Sequence, residues 1–327
     1  MCVRRWNTTC SSAPRRRFGS AIALTLVPTG YAEVMTTLQE LRHTLRSLFP
    51  EEDAQSWDAV GLTSGDPKQQ VTRVVLAVDA VSATVDEAVE RGAQLLFTHH
   101  PLLLRGVTSI AEDSYKGALL ARLIRAGCAL FSAHTNADVV ETGPTGIIFD
   151  RLGIPSGPEH RTPIEPIAAG SPRGIGLVGE LPQAMSLADF ARRVQEVFPA
   201  TAGGVRVAGD PDRQVQRVAC CSGAGDSLLS HPLVRGADVY LTSDLRHHPA
   251  SEAIEHALNT QGPALVDTAH FASEWLWLEG LAERLRTEHP DIDVHVSRRN
   301  TDPWTFVIGT SGLADTATSE RAERVKN

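Results

Sequence analysis

Three apolar runs in this chain end in residues that bind metals well. "LLFTHH" (95–100) closes on His99 and His100, "ALFSAHTNAD" (129–138) on His134 and Asp138, and "ALVDTAH" (264–270) on His270. Glu274 stands four residues beyond His270, where a helical pattern begins, so the two side chains share one helix face. Imidazole and carboxylate ligands without a cysteine suit Zn, Mn, Fe or a similar divalent ion. The donors exceed what one tetrahedral ion needs and match two ions bridged by a carboxylate, with positions left for water. In open α/β sheets ligands gather beyond the carboxyl ends of the strands, which is where these residues fall.

The elements that must position them read as alternating strands and helices. Strand-like runs at 73–79, 94–98 and 128–135 alternate with helical patterns at 82–91, 115–126 and 143–152. Further strands are expected in "GIGLVGEL", "RVACCSG", "ADVYLTSD" and "PALVDTAH", with helices at about 186–197, 247–260 and 271–288. Strands that are apolar throughout call for helices on both faces of a sheet, hence an α/β fold. The Pro/Gly-rich stretch 154–174 is the one plausible linker. Before the first strand, Leu38, Leu41, Leu45 and Leu48 fall on one helical face.

The chain has 327 residues and a net charge of -8, which argues against nucleic acid as a partner. Residues 1–34 hold five arginines and one acid, leaving 26 basic and 38 acidic residues in the remainder, net -12. That Arg- and Ser-rich leader reads as a transit peptide or as an upstream start read in error, with Met35 opening a clean helix. Its "AIALTLV" is too short to span a membrane. The five cysteines form no CxxC pair, and Cys220 and Cys221 sit in a strand-like run, which points to a reducing cytoplasm. His160, His231, His256, His289 and His295 carry no matching neighbours and read as structural.

Read in order, "SWDAVGL" (56–62), "LLFTHHPLL" (95–103), "SAHTNAD" (132–138), "CSGAGDS" (221–227), "DVYLTSDLRHHPA" (238–250) and "DTAHFASEW" (267–275) resemble a known family. It is that of the dinuclear-metal proteins called GTP cyclohydrolase I type 2 homologues, which includes the yeast Ngg-interacting factor. The resemblance runs from Met35 to about Thr310. It implies two similar three-layer α/β lobes, with residues 35–153 and about 265–312 forming the metal-site lobe and 154–264 the second. Residues 313–327 would be a tail.

The resemblance further implies His99, His100, Asp138, His270 and Glu274 as ligands of two divalent ions, with His248 near the site. His134 would orient Asp138 rather than bind an ion. Asp138 and Glu274 would activate water at the ions, opening a purine nucleotide ring. The alternatives are a metal-binding scaffold or regulatory interaction protein without turnover, and a metal hydrolase for another phosphorylated or amide substrate. A ring-like homohexamer is implied as well. Two positions depart from the family pattern: Ala59 stands where Asn is usual, and Ser243 where Gly is usual. The stretch from Gly153 to Val218 is too short for the extra domain of longer members. "CSGAGDS" could offer backbone N–H groups to phosphate, although it lacks the Lys-Ser/Thr of a P-loop.

Overall fold

A computed structural model describes residues 35–308 of the chain. The expectations for residues 1–34 and 313–327 lie outside the described residues. The first helix, α1 (Leu38–Leu48), starts at Thr37, whose hydroxyl caps the Glu40 N–H while the Glu40 carboxylate returns to the Thr37 N–H. Its buried residues are Leu38, Leu41 and Leu45, as the leucine spacing requires.

Then come β1 (Gly61–Ser64), β2 (Arg73–Ala77), α2 (Ser82–Glu90), β3 (Leu95–Thr98), α3 (Tyr115–Arg125), β4 (Ala129–Ser132), the single turn α4 (Thr135–Asp138) and α5 (Pro144–Leu152). The second half runs β5 (Arg161–Pro166), β6 (Gly174–Ser186), α6 (Leu187–Val197), β7 (Arg206–Ala208), β8 (Gln214–Ala224), α7 (Pro232–Arg235), β9 (Val239–Ser243), α8 (His247–Asn259) and β10 (Ala264–Thr268). The described chain closes with α9 (His270–Trp275), α10 (Trp277–Glu288) and β11 (Asp293–Val296).

These strands make two sheets, ordered β1-β4-β3-β2-β11 and β5-β6-β8-β9-β10-β7. In the first sheet β4, β3, β2 and β11 run parallel and the edge β1 is antiparallel. In the second β8, β9 and β10 run parallel, β6 is antiparallel to both β5 and β8, and the edge β7 is antiparallel to β10. In the first sheet α1 and α10 cover one face, packing Leu41, Leu45 and Trp277 onto Phe97 and Phe131. Leu119, Leu120 and Leu123 of α3 cover the other. The second sheet has α5, α6 and α9 on one face and residues of α7 and α8 on the other. The protein is therefore two three-layer α/β lobes. Ile147 and Trp275 pack against the core of each lobe and join them.

The chain leaves the first sheet after β4, builds the second, and returns to pair β11 with β2 in parallel. Because β10 pairs with β7 and β9, that return begins only after Thr268. The Pro/Gly-rich segment 154–174 carries the edge strand β5. The pattern at 271–288 resolves into α9 and α10 joined at Leu276, which keeps helical backbone angles. None of the helices among the described residues is long and apolar enough to cross a membrane.

Candidate metal centre

His99 and His100 follow β3 directly. Their N–H groups extend the ladder onto β2, donating to the carbonyls of Ala77 at 3.1 Å and Val78 at 2.8 Å. Pro101 then ends the run. Thr98 braces the turn, its hydroxyl donating to the His100 carbonyl at 2.8 Å. Asp138 arrives on α4, and His270 and Glu274 on α9, one turn apart.

The imidazoles share one orientation. His99 Nδ1 lies 2.9 Å from the Ala133 carbonyl. His100 Nδ1 lies 2.7 Å from Asp79, His134 Nδ1 2.9 Å from Asp58, and His270 Nδ1 2.8 Å from Asp244. A carbonyl or a carboxylate only accepts, so in each ring Nδ1 carries the proton and donates. That leaves four Nε2 lone pairs free to serve as ligands, the arrangement by which metal-binding histidines are held.

The lone pairs converge on the two inner carboxylates. Glu274 places Oε2 2.9 Å from His100 Nε2, and Oε1 3.0 Å from His270 Nε2 and 3.4 Å from His99 Nε2. His99 Nε2 is 3.7 Å from Asp138 Oδ1. His100 and His270 present Nε2 to Nε2 at 3.2 Å, a repulsive contact unless a cation or proton lies between them. The His134 ring packs edgewise on His99 and His100, with centroids 5.2 and 5.4 Å away. His99, His100 and His134 form one group with metal-ligand spacing, and His100, His270 and Glu274 a second.

Three buried atoms at this point, His99 Nε2, Asp138 Oδ1 and Glu274 Oε2, have no hydrogen-bond partner. Buried polar atoms are rarely left unpaired, and three gathered at one place are a donor set suited to a cation. The charges agree. Burial opposes the cationic form of His100, but Glu274 and then Asp79 outweigh it and raise its pKa to about 10. The same balance, with Glu274 and Asp244, raises His270 to about 11. Burial also opposes ionisation of Glu274, yet His100, His270 and His99 hold it well below the usual carboxylate range. Burial, then the charge of Glu274, pushes Asp138 up to about 7. The cluster demands positive charge at its centre, and divalent cations answer that demand without the protons. The donor set thus fits a metal ion.

The supporting shell uses residues that sequence reasoning did not assign. Asp58, of "SWDAVGL", holds His134 and also accepts from the Thr135 N–H at 3.0 Å and hydroxyl at 2.5 Å. The His134 imidazole therefore bonds to the Asp58 carboxylate and not to that of Asp138, whose N–H meets only the His134 carbonyl. Asp79 sits just past β2, and Asp244 just past β9 with φ of 56°, a left-handed conformation uncommon for a residue other than glycine. An aspartate just beyond each apolar strand was the available signal. The departure at Ser243 leaves the left-handed position to Asp244; the Ser243 hydroxyl instead sits 3.3 Å from that of Ser273.

The turn in "CSGAGDS" is engaged by the protein itself. Gly223 N–H donates to Ser273 Oγ at 2.9 Å and Gly225 N–H to the Ser243 carbonyl at 3.5 Å. Gly223 has φ of 64°, and a Cβ there would lie 2.3 Å from Glu274 Oε1. Glycine is needed for the carboxylate to enter. His248 is exposed, its ring against that of His247 and outside both histidine groups. His231 accepts from the Leu233 N–H, and His289 and His295 bond to Thr44 and Glu87, all structural contacts.

The sequence profile of the family described as Duf34/NIF3 (NGG1p interacting factor 3) matches residues 36–303. A Streptomyces coelicolor protein named "GTP cyclohydrolase 1 type 2 homolog" is 45% identical over 290 residues, 85% of this chain and 96% of that protein. A Mycobacterium tuberculosis protein of the same name is 33% identical over 370 residues, 82% of this chain and 96% of its own length. Among solved structures, Staphylococcus aureus protein SA1388 superposes with a TM-score of 0.73 at 28% identity, covering 83% of this chain and 99% of that one.

Proposed function

The chain belongs to the Duf34/NIF3 family, and we propose that it is a dinuclear divalent-metal hydrolase that opens the ring of a purine nucleotide. The observation that carries this reading is the inward turn of the Nε2 lone pairs of His99, His100 and His270 onto Glu274 and Asp138, whose Oε2 and Oδ1 are buried and unpaired. His99, His100, Asp138, His270 and Glu274 would hold two ions such as Zn, Fe or Mn, and His134 is positioned as a further ligand. The name shared by the relatives supports the choice of GTP as the nucleotide to try first.

Divalent ions bound there would supply Lewis acidity and lower the pKa of a water molecule poised for attack. The chain's own residues do the rest. Asp58, Asp79 and Asp244 fix the tautomers, so no reorganisation is needed when ligands bind. Glu274 spans the cluster through its two oxygens, and Asp138 adds the second inner charge. Trp277, edge-on to His99 at 5.7 Å, seals the floor against bulk water. A ring-like homohexamer, implied by the family resemblance, is proposed as the assembly.

The test is protein reconstituted with each metal, incubated with a panel of nucleotides, its products read by mass alongside metal content. Ring opening is expected, and Glu274→Gln should reduce turnover far more than it reduces metal occupancy. Wild type carrying two ions and converting no nucleotide would refute the opening of a nucleotide ring and favour a metal-binding scaffold.

A further inference from the structure

Beside the histidine cluster lies a cavity of about 810 Å³, within the size range that encloses small ligands. His100 and His270 are among its walls, so a molecule held here reaches the proposed ions. Among the described residues Arg206 is the only arginine or lysine lining it, and it is held in an unusual way. Its Nε and Nη2 both donate to one oxygen of Asp267, Nε at 2.7 Å. The other oxygen of that buried carboxylate accepts from the Leu245 N–H at 2.9 Å. The guanidinium plane is thereby fixed while Nη1 keeps no partner among the described residues. An arginine so oriented, with one edge open, suits bidentate capture of an anion.

Arg206 is the place in this wall for an anion, since the other charged side chains lining it, apart from the histidines, are the carboxylates of Asp79, Asp244, Asp267 and Asp302. Gly203 and Gly204, three and two residues before it, line the cavity, and a Cβ on either would meet nothing within 4 Å. The carboxylates of Asp79 and Asp244 are engaged with His100 and His270. Elsewhere the wall is aromatic and apolar, with Trp304, Val307, Phe271 and Leu245. The Trp304 indole is 71% exposed, a flat face without cover from the described residues. The segment bearing it is tied to the cluster, since the Thr301 hydroxyl donates to Asp79, the carboxylate that orients His100. Asp302, also in the wall, has a buried Oδ2 without a hydrogen-bond partner.

We propose that this cavity recognises a nucleotide, its phosphate on Arg206 and its base on Trp304 with an N–H edge turned toward Asp302. The placement of the reacting ring near the cluster rests on the hydrolase reading above; the binding itself does not.

The experiment titrates GMP and guanosine calorimetrically into metal-loaded, full-length protein. Wild type should bind GMP at least ~10-fold more tightly than guanosine, a charge-assisted contact being worth that much. Arg206→Ala should bring the ratio close to one with guanosine affinity and metal content unchanged, and Arg206→Lys should restore part of it. Trp304→Ala should weaken both ligands by a similar factor, ~5-fold or more for a lost stacking face. Should Arg206→Ala fail to fold, Arg206→Gln carries the same comparison. Equal binding of GMP and guanosine to wild type, an unchanged ratio in Arg206→Ala, or no binding of GMP to fully metallated protein would each overturn the proposal. Since turnover is not read here, capture of GMP through Arg206 by a protein that the turnover assay above finds inactive on nucleotides would refute the ring-opening reading and leave this site standing.

Discussion

Replacing Gly223 by alanine tests the metal centre from the opposite side, through a residue that offers no ligand. The added methyl meets two costs. With φ at 64°, the backbone is in the left-handed region, where a side chain costs about 1–2 kcal/mol. The Cβ would also stand 2.3 Å from Glu274 Oε1 and 3.1 Å from His270 Nε2. Relief to ordinary contact requires a shift of about 1 Å, several times the ~0.2 Å that ligand distances tolerate. Pushing a buried carboxylate off its imidazole partners costs ~2 kcal/mol more.

The expected total is about 3–4 kcal/mol, or a fall of ~6–16 °C in melting temperature at 2–4 °C per kcal/mol. Metal content measured by elemental analysis should drop to one ion or fewer. Gly280→Ala is the matched control. It lies within α10 with nothing within 4 Å of its Cβ, so it should stabilise by ~0.5–1 kcal/mol and leave metal content intact. A Gly223→Ala protein that holds its full metal complement and melts within about 2 °C of wild type would show that the Glu274 carboxylate is not placed as argued.

Three other expectations follow from the same geometry. His99→Ala combined with His100→Ala should remove both ions, and retention of either would mean that the remaining donors suffice. Glu87 is on the buried side of α2; burial works against its ionisation, but hydrogen bonds from Ser297, His295 and Arg91 outweigh this and lower its pKa. A depressed carboxylate pKa stabilises the fold fully above the unfolded value of ~4.3 and loses that contribution as pH falls through the folded one. Glu87→Gln should therefore melt about 4–8 °C below wild type at pH 7, for ~2 kcal/mol lost, with the gap closing below about pH 4; a gap independent of pH would contradict the assignment. Light scattering at micromolar concentration should return the mass of a hexamer, and a monomeric mass would refute the proposed ring.

Much of the lobe architecture was legible because inner strands of a covered sheet must be apolar on both faces. "RVVLA", "LLFT", "ALFS", "VYLTS" and "ALVDT" all fall in strands, four of them fully buried. The strands that escaped notice, β1, β5, β7 and β11, are edges. With one neighbour and part of the strand in water, "GLTS", "RTPIEP", "RVA" and "DVHV" have no need of an unbroken apolar run, and only pairing partners far along the chain define them.

The candidate site divides the same way. Histidine and acid at the ends of apolar strands are visible in one dimension, because nothing about packing asks for them there. Their roles are not, because an imidazole's role depends on what its Nδ1 touches. Asp79 meets His100 from 21 residues away, Asp244 meets His270 from 26, and Asp58 meets His134 from 76. Sequence alone placed His134 with Asp138, four residues off, since local spacing was the only measure available. Folding supplied a different acid. The chain determines which groups stand at the strand ends; the packing of two lobes through α9 decides which face one another, since only that return of chain carries His270 and Glu274 to His99 and His100.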